Sequence, residues 1–131
     1  MIPSSRARIL LADDHDAMRA RAAQVLEPEY DVVASVADGQ STLDAEASLQ
    51  PDVVVLDITM PRMNGLAVAA TLQKRGSHAA VVFLTVHRDD EFVHAARAVG
   101  ALGYVVKPKL ASDLRAAVRE AIAGRSFVSQ R

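Results

Sequence analysis

The sequence has 131 residues, of which 50% are hydrophobic and 24% are charged; its formal net charge is −1 and it contains no cysteine. This composition is typical of one globular domain with its own core, and it excludes a disordered chain, a disulfide framework and thiolate metal sites. The near-zero charge gives no reason to expect binding to nucleic acid or an anionic membrane, and no apolar run approaches the roughly 20 residues of a membrane helix, so we expect a cytoplasmic protein.

Short apolar runs alternate with helical patterns along the whole chain. The runs are residues 8–12, 32–36, 53–56, 80–84 and 104–106, and the helical patterns are 18–26, 40–49, 66–73, 92–99 and 114–122. The runs are rich in Val, Ile and Leu and mostly do not alternate with polar residues, which is typical of strands covered on both faces. Asn64 and the pair Ser112 and Asp113 are the expected N-caps of the third and fifth helices. The pattern predicts an α/β domain in which a five-stranded parallel sheet carries five helices on its two faces.

Polar side chains stand at the ends of four of these predicted strands. Asp13 and Asp14 follow the first strand, Asp57 the third, Thr85 the fourth and Lys107 the fifth. A single aspartate after a strand is usually a turn residue or a helix cap, and a single threonine or lysine there is usually solvated. Because ligands of parallel sheets bind off the carboxyl ends of the strands, five such residues at one edge favour a functional site.

The residue types at this edge indicate a particular chemistry. Clustered carboxylates repel one another, and a hard divalent cation relieves that repulsion. Mg²⁺ prefers oxygen ligands and is usually held by one or two carboxylates together with a phosphate oxygen. A carboxylate can also attack phosphorus to give an acyl phosphate. The carboxylates expected at this edge therefore fit a hard divalent cation.

Four segments carry a family resemblance: ILLADDH, DVVVLDITMPRMNG, VVFLTVH and GYVVKP. They combine an acidic pair, a D-x-x-M-P-x-M-x-G loop, a threonine after the fourth strand and a Lys-Pro step. In this combination the chain resembles, over essentially its whole length, the receiver domain of two-component response regulators. The resemblance implies one flavodoxin-like domain over residues 1–131 with the strand order 2-1-3-4-5.

The resemblance also implies roles for the acidic residues. Asp57 would accept a phosphoryl group from a sensor histidine kinase. Asp14 and Asp57 would be direct ligands of Mg²⁺ or Mn²⁺, Asp13 would act directly or through water, and the main-chain carbonyl of Thr59 would be a further ligand. Such a domain is not an enzyme in the ordinary sense, because it catalyses only its own phosphorylation and dephosphorylation.

Other implied roles concern phosphoryl contacts and switching. Lys107 and the Thr85 hydroxyl would bind phosphoryl oxygens, and the Lys107–Pro108 peptide bond would be cis. Thr85 would follow the phosphoryl group and Tyr104 would turn inward. Two copies would then pair through the face of the fourth helix, fifth strand and fifth helix, or alternatively through the first and fifth helices.

The ending AIAGRSFVSQR and the DDH triplet resemble receivers joined to a LuxR-type helix-turn-helix domain, although Pro108 departs from that subfamily. Residues 125–131 would then begin a linker to an output domain outside this chain, and DNA would be bound only through that domain to control transcription. His15 and His87 flank the site and are expected to be solvated loop residues.

Three alternatives stay open. The first is a stand-alone receiver that acts by protein–protein contacts, and the second is a receiver-like module that is never phosphorylated. The third is an aspartate-nucleophile phosphatase of the haloacid dehalogenase type. Phosphatases of that class carry a D-x-D motif, in which a second aspartate follows two positions after the nucleophile. Here Thr59 occupies the second position after Asp57.

Overall fold

Strands and helices alternate through residues 6–131, which are the residues that the computed structural model describes; residues 1–5 of the predicted domain lie outside them. The strands are β1 (Arg8–Ala12), β2 (Asp31–Val36), β3 (Val53–Leu56), β4 (Ala80–Thr85), β5 (Gly103–Val106) and β6 (Phe127–Val128). The helices are α1 (Asp16–Leu26), α2 (Gly39–Leu49), α3 (Gly65–Lys74), α4 (Asp90–Ala98) and α5 (Leu110–Ile122), with a short 3₁₀ helix at Lys107–Lys109. None of the helices in this described part is long and apolar enough to cross a membrane.

The strands form one parallel sheet in the order β2-β1-β3-β4-β5-β6. The α/β class and the parallel sheet are confirmed, but the prediction of five strands is wrong. In the sixth strand the Phe127 N–H donates to the Leu102 carbonyl at 2.9 Å, and the Ser129 N–H donates to the Tyr104 carbonyl at 2.8 Å. A strand of two residues is too short to show a periodic pattern in the sequence. The extended conformation of β6 is stabilised by its hydrogen bonds to β5, whose edge would otherwise be unpaired.

The core consists of two layers, one on each face of the sheet. Successive residues of a strand point to opposite faces. Val54 and Leu56 of β3 therefore pack in the layer of α2, α3 and α4, while Val53 and Val55 pack in the layer of α1 and α5. This double coverage explains why the strands read as continuous apolar runs, and it leaves the strand ends as the place for polar chemistry.

Two predicted local features differ in the structure, and both lie where β5 meets α5. The Lys107–Pro108 peptide bond is trans, so the prediction of a cis bond is wrong. Pro108 lies in the first turn of the 3₁₀ helix, where its missing N–H costs no hydrogen bond. This turn leads directly into α5 at Leu110, so Ser112 and Asp113 lie inside the first turn of α5 and do not cap it. By contrast, the Asn64 side chain caps α3 as predicted, because it accepts from the Ala67 N–H.

Gly65 brings the start of α3 against the strand end that carries Asp57. Its N–H donates to the Ile58 carbonyl at 2.7 Å. A Cβ atom at this position would lie 2.0 Å from the main-chain oxygen of Asp57. The close approach of two backbones therefore requires glycine here and fixes the position of Asp57 relative to α3.

We predict that Gly65→Ala lowers the free energy of unfolding by about 1–3 kcal/mol, because the added methyl group must push the Asp57 backbone aside. Urea denaturation measures this loss. Gly76→Asn is the matched control, since a side chain at this position meets nothing within 4 Å and asparagine tolerates its φ of +70°. An equal loss in the two variants would contradict the steric argument.

Candidate functional site

The predicted site residues meet at the carboxyl edge of the sheet. Asp13 directly follows β1, Asp57 directly follows β3 and Lys107 directly follows β5. Parallel strands all end at the same edge, so these loops are neighbours in space. One carboxylate oxygen from each of Asp13, Asp14 and Asp57, together with a ring nitrogen of His15, lies within 4.8 Å of the others. We call Asp13, Asp14 and Asp57 the acidic cluster.

Lys107 holds two members of the acidic cluster at fixed positions. Its Nζ atom lies 2.9 Å from Asp13 Oδ2 and 2.9 Å from Asp57 Oδ2, and all three side chains are at most 7% exposed. Burial lowers the pKa of Lys107, but the hydrogen bonds and charges of Asp13 and Asp57 outweigh burial and leave that pKa above its ordinary value. The ammonium therefore stays charged at neutral pH and joins the ends of β1, β3 and β5.

The acidic cluster still carries an excess of negative charge. Three carboxylates beside one ammonium leave two negative charges, and Asp57 Oδ1 is buried without a hydrogen-bond partner in the described part of the chain. A buried acceptor without a partner is costly, so its presence indicates a ligand that this oxygen is built to meet. An all-oxygen set with this charge fits a hard divalent cation such as Mg²⁺. The Asp14 side chain is 31% exposed, so an ion can reach the cluster from solvent.

Arg19 fixes the loop that carries Asp13 and Asp14, a role that was not predicted from the sequence. Its Nη1 donates to the Asp13 carbonyl at 2.6 Å, its Nη2 pairs with Asp16 at 2.6 Å, and its Nε donates to Ser35 Oγ at 2.9 Å. The side chain is only 16% exposed. An arginine one turn into a helix usually reads as a solvated residue. Its spacing of three residues from Asp16 was the only sequence signal.

Thr85 and Tyr104 both contact the main chain of His87. Thr85 is fully buried at the end of β4, and its Oγ1 accepts from the His87 N–H at 3.4 Å. Tyr104 is 2% exposed and donates from its hydroxyl to the His87 carbonyl at 2.8 Å. The Tyr104 side chain is thus buried in this structure, and its inward turn on phosphorylation stays a prediction. Within residues 6–131, no hydrogen bond joins the Thr85 hydroxyl to the acidic cluster.

His87 has more contacts than a solvated loop residue. Its Nε2 lies 2.8 Å from the Thr59 hydroxyl, and its ring stacks on Phe92 with centroids 4.1 Å apart. The Thr59 side chain therefore connects the loop after β3 to the loop after β4. Single residues in two separate loops give no sequence signal for such a contact.

Residues 9–119 match the family model described as response regulator receiver domain. Among curated proteins, the nitrate/nitrite response regulator protein NarL of Escherichia coli K12 is 34% identical over 126 residues, which cover 95% of this chain and 58% of NarL. The positive alginate biosynthesis regulatory protein of Pseudomonas aeruginosa is 41% identical over 122 residues, which cover 86% of this chain and 46% of that protein. The chain thus spans about half the length of these curated relatives.

The solved structures that resemble this chain are also response regulators. A LuxR-family two-component response regulator from Aurantimonas sp. SI85-9A1 superposes with a TM-score of 0.89 at 32% identity, covering 95% of this chain and 90% of that one. The signal receiver domain of the putative response regulator NarL from Mycobacterium tuberculosis also gives a TM-score of 0.89, at 28% identity, covering 93% of this chain and all of that one.

Tyr104 generates a prediction about alkaline pH. Burial raises the pKa of Tyr104 to about 12, so the folded chain holds this proton more tightly than the unfolded chain. The contribution of Tyr104 to the free energy of unfolding is therefore fully present below about pH 10, and it is lost as the pH rises from about 10 to 12. We expect urea denaturation of Tyr104→Phe to show a shallower fall of unfolding free energy over this range than the original chain.

A second measurement assigns the group. The chain has two tyrosines, and we expect tyrosinate absorbance to lose its step near pH 12 in Tyr104→Phe. A Tyr104 that ionises at the ordinary pKa of a tyrosine would contradict the buried position of its hydroxyl.

Proposed function

The chain belongs to the response regulator receiver domain family, and on this premise we propose that it is the phosphoacceptor domain of a LuxR-type two-component regulator. In this proposal a sensor histidine kinase transfers a phosphoryl group to Asp57. The observation that carries the proposal is the Asp57 carboxylate itself. One of its oxygens is held by Lys107 at 2.9 Å, while the other is buried and has no partner among the described residues.

The proposed reaction is a transfer between two protein side chains. The free oxygen of Asp57 attacks the phosphorus of a phosphohistidine, a P–O bond forms, the P–N bond breaks, and the imidazole keeps the electron pair and takes up a proton. The transferred group carries its negative charge on peripheral oxygens, so positioning and cations do most of the catalysis. Lys107 is already placed beside the reacting carboxylate and supplies one such cation.

A divalent cation completes the proposed site. Asp13, Asp14, Asp57 and the main-chain carbonyl of Thr59 would hold Mg²⁺ or Mn²⁺, which would supply positive charge for the transfer of the phosphoryl group. The negative excess of the acidic cluster and its opening to solvent at Asp14 support this assignment. Arg19 keeps the loop in place by binding the Asp13 carbonyl.

We further propose that phosphorylation acts through Thr85, His87 and Tyr104. The Thr85 hydroxyl would bind a phosphoryl oxygen. His87 connects Thr85 to Tyr104, because the His87 N–H donates to the Thr85 hydroxyl and the His87 carbonyl accepts from the Tyr104 hydroxyl. In this proposal the loop that carries His87 exists in two arrangements at equilibrium. A phosphoryl group shifts that equilibrium only if it binds one arrangement better than the other. A movement of the Thr85 side chain would therefore change the face formed by α4 and β5.

The output belongs to a longer protein in this proposal. Relatives about twice as long are transcriptional or response regulators by name, which favours a cytoplasmic bacterial regulator over a stand-alone receiver. Residues 125–131 would begin the linker to a DNA-binding domain, and β6 lies within that segment. Two phosphorylated copies would pair through α4, β5 and α5. Because β6 lies along the free edge of β5, it would form part of such an interface.

We predict that acetyl phosphate with Mg²⁺ adds one phosphoryl group to the chain and that Asp57→Asn abolishes the addition, because the amide is a poor nucleophile. Intact-protein mass spectrometry measures the adduct. Asp44→Asn, a change at an exposed aspartate on α2, should be labelled like the original chain. If Asp57→Asn were phosphorylated as fully as the original chain, the assignment of Asp57 as the phosphoacceptor would be wrong.

We also predict that Asp14→Ala weakens Mg²⁺ binding by about tenfold or more, because it removes both a ligand and a charge that the ion offsets. Calorimetric titration at fixed pH and ionic strength measures the affinity. Asp44→Ala changes the same net charge far from the cluster and should leave the affinity unchanged. If Asp14→Ala binds Mg²⁺ as tightly as the original chain, the cation site lies elsewhere.

A further inference from the structure

The ring of His15 lies against the acidic cluster, and the proposed phosphoryl chemistry does not use it. Its Nδ1 atom is 3.2 Å from Asp13 Oδ1 and 3.1 Å from Asp14 Oδ1. The His15 N–H also donates to Asp13 Oδ1 at 2.9 Å, which holds the backbone of this residue close to the cluster. The imidazole nitrogen is therefore within reach of the same ion as the carboxylates.

The spacing of these atoms is that of neighbouring metal ligands. Two ligands about 2.1 Å from an octahedral ion, at adjacent corners, lie about 3 Å apart. The separations of Nδ1 from the two carboxylate oxygens match this value. An independent sign of a ligand at this place is Asp57 Oδ1, which belongs to a side chain that is 3% exposed and has no hydrogen-bond partner in the described residues.

Lys107 determines which oxygens remain for an ion. It contacts the Oδ2 atoms of Asp13 and Asp57, so Oδ1 of Asp57 stays without a partner among the described residues, while Oδ1 of Asp13 accepts from the His15 N–H. Asp13 Oδ1 is the atom that faces His15. The His15 side chain is 69% exposed, so the ring can turn without displacing any part of the core.

We infer that Nδ1 of His15 is a direct ligand of the cation in the acidic cluster, an inference that rests on the cation site of the proposed function. Imidazole suits Ni²⁺, Co²⁺ and Zn²⁺, whereas carboxylate, carbonyl and water suit Mg²⁺. One nitrogen among oxygen ligands therefore makes the site prefer these ions over Mg²⁺ more strongly than the three carboxylates alone would. His15 sets the metal preference of the site.

The test compares His15→Gln with the original chain. Glutamine keeps a side-chain N–H that can donate to the carboxylates but removes the imidazole. We expect Ni²⁺ and Co²⁺ affinity to fall about tenfold or more, with a smaller change for Mg²⁺, in calorimetric titrations at one pH. His94→Gln is the matched control, because His94 is an exposed residue of α4.

Pulsed electron paramagnetic resonance of the Mn²⁺-loaded chain provides a second readout. We expect coupling to a ¹⁴N nucleus in the original chain and in His94→Gln, and no such coupling in His15→Gln. Equal Ni²⁺ affinities together with no nitrogen coupling would overturn the inference and leave His15 as a hydrogen-bond donor. Failure of the original chain to bind any divalent cation would instead overturn the cation site and the His15 assignment together.

Discussion

The contact of one buried ammonium with two buried carboxylates determines the arrangement of the whole carboxyl edge. Lys107 reaches Asp13 and Asp57 at the same distance of 2.9 Å, so it joins the ends of β1, β3 and β5. Burying charges is expensive, and removing one partner of such a pair typically costs about 3–5 kcal/mol. The ammonium offsets part of the negative charge of these two carboxylates. Oδ1 of Asp57 has no partner among the described residues, and it lies where the ligands of the proposed function would bind.

The covered sheet explains why the chemistry lies at this edge. Helices pack on both faces, so a polar group in the middle of β1, β3 or β5 would be buried between two apolar layers. At the carboxyl ends the same strands deliver side chains to loops that solvent reaches on one side. Asp57 illustrates the balance, since its side chain is 3% exposed while neighbouring Asp14 is 31% exposed. A reactive carboxylate can thus be positioned by the core and still be approached from outside.

The parts of the structure that follow from local pattern were predictable, and those that depend on a particular neighbour were not. The apolar runs around Val53–Leu56 and Arg8–Ala12 coincide with β3 and β1, because continuous burial leaves a continuous signal. Parallel topology predicted that Asp57 and Lys107 lie at the same edge of the sheet, whereas their direct contact is visible only in the structure. The sixth strand was missed because two residues have no period and depend on the edge of β5. The trans bond before Pro108 and the helix start at Leu110 depend on how one short turn fits between β5 and α5. Arg19 contacts Ser35 and His87 contacts Thr59, and only the folded chain brings these residues, distant in the sequence, together.

The sixth strand also bears on how the sheet avoids pairing with other chains. An edge strand presents unpaired N–H and C=O groups that can template aggregation, and short edges are poor templates. β6 pairs with Gly103 and Tyr104, so at this side the sheet ends in two residues. The Ser129 hydroxyl, which donates to Asp113 at 2.7 Å, and Arg131, which pairs with Asp90, fasten the segment to α5 and α4. The opposite edge is β2, whose six residues are the longer template, so intermolecular strand addition to this fold is expected to begin at β2.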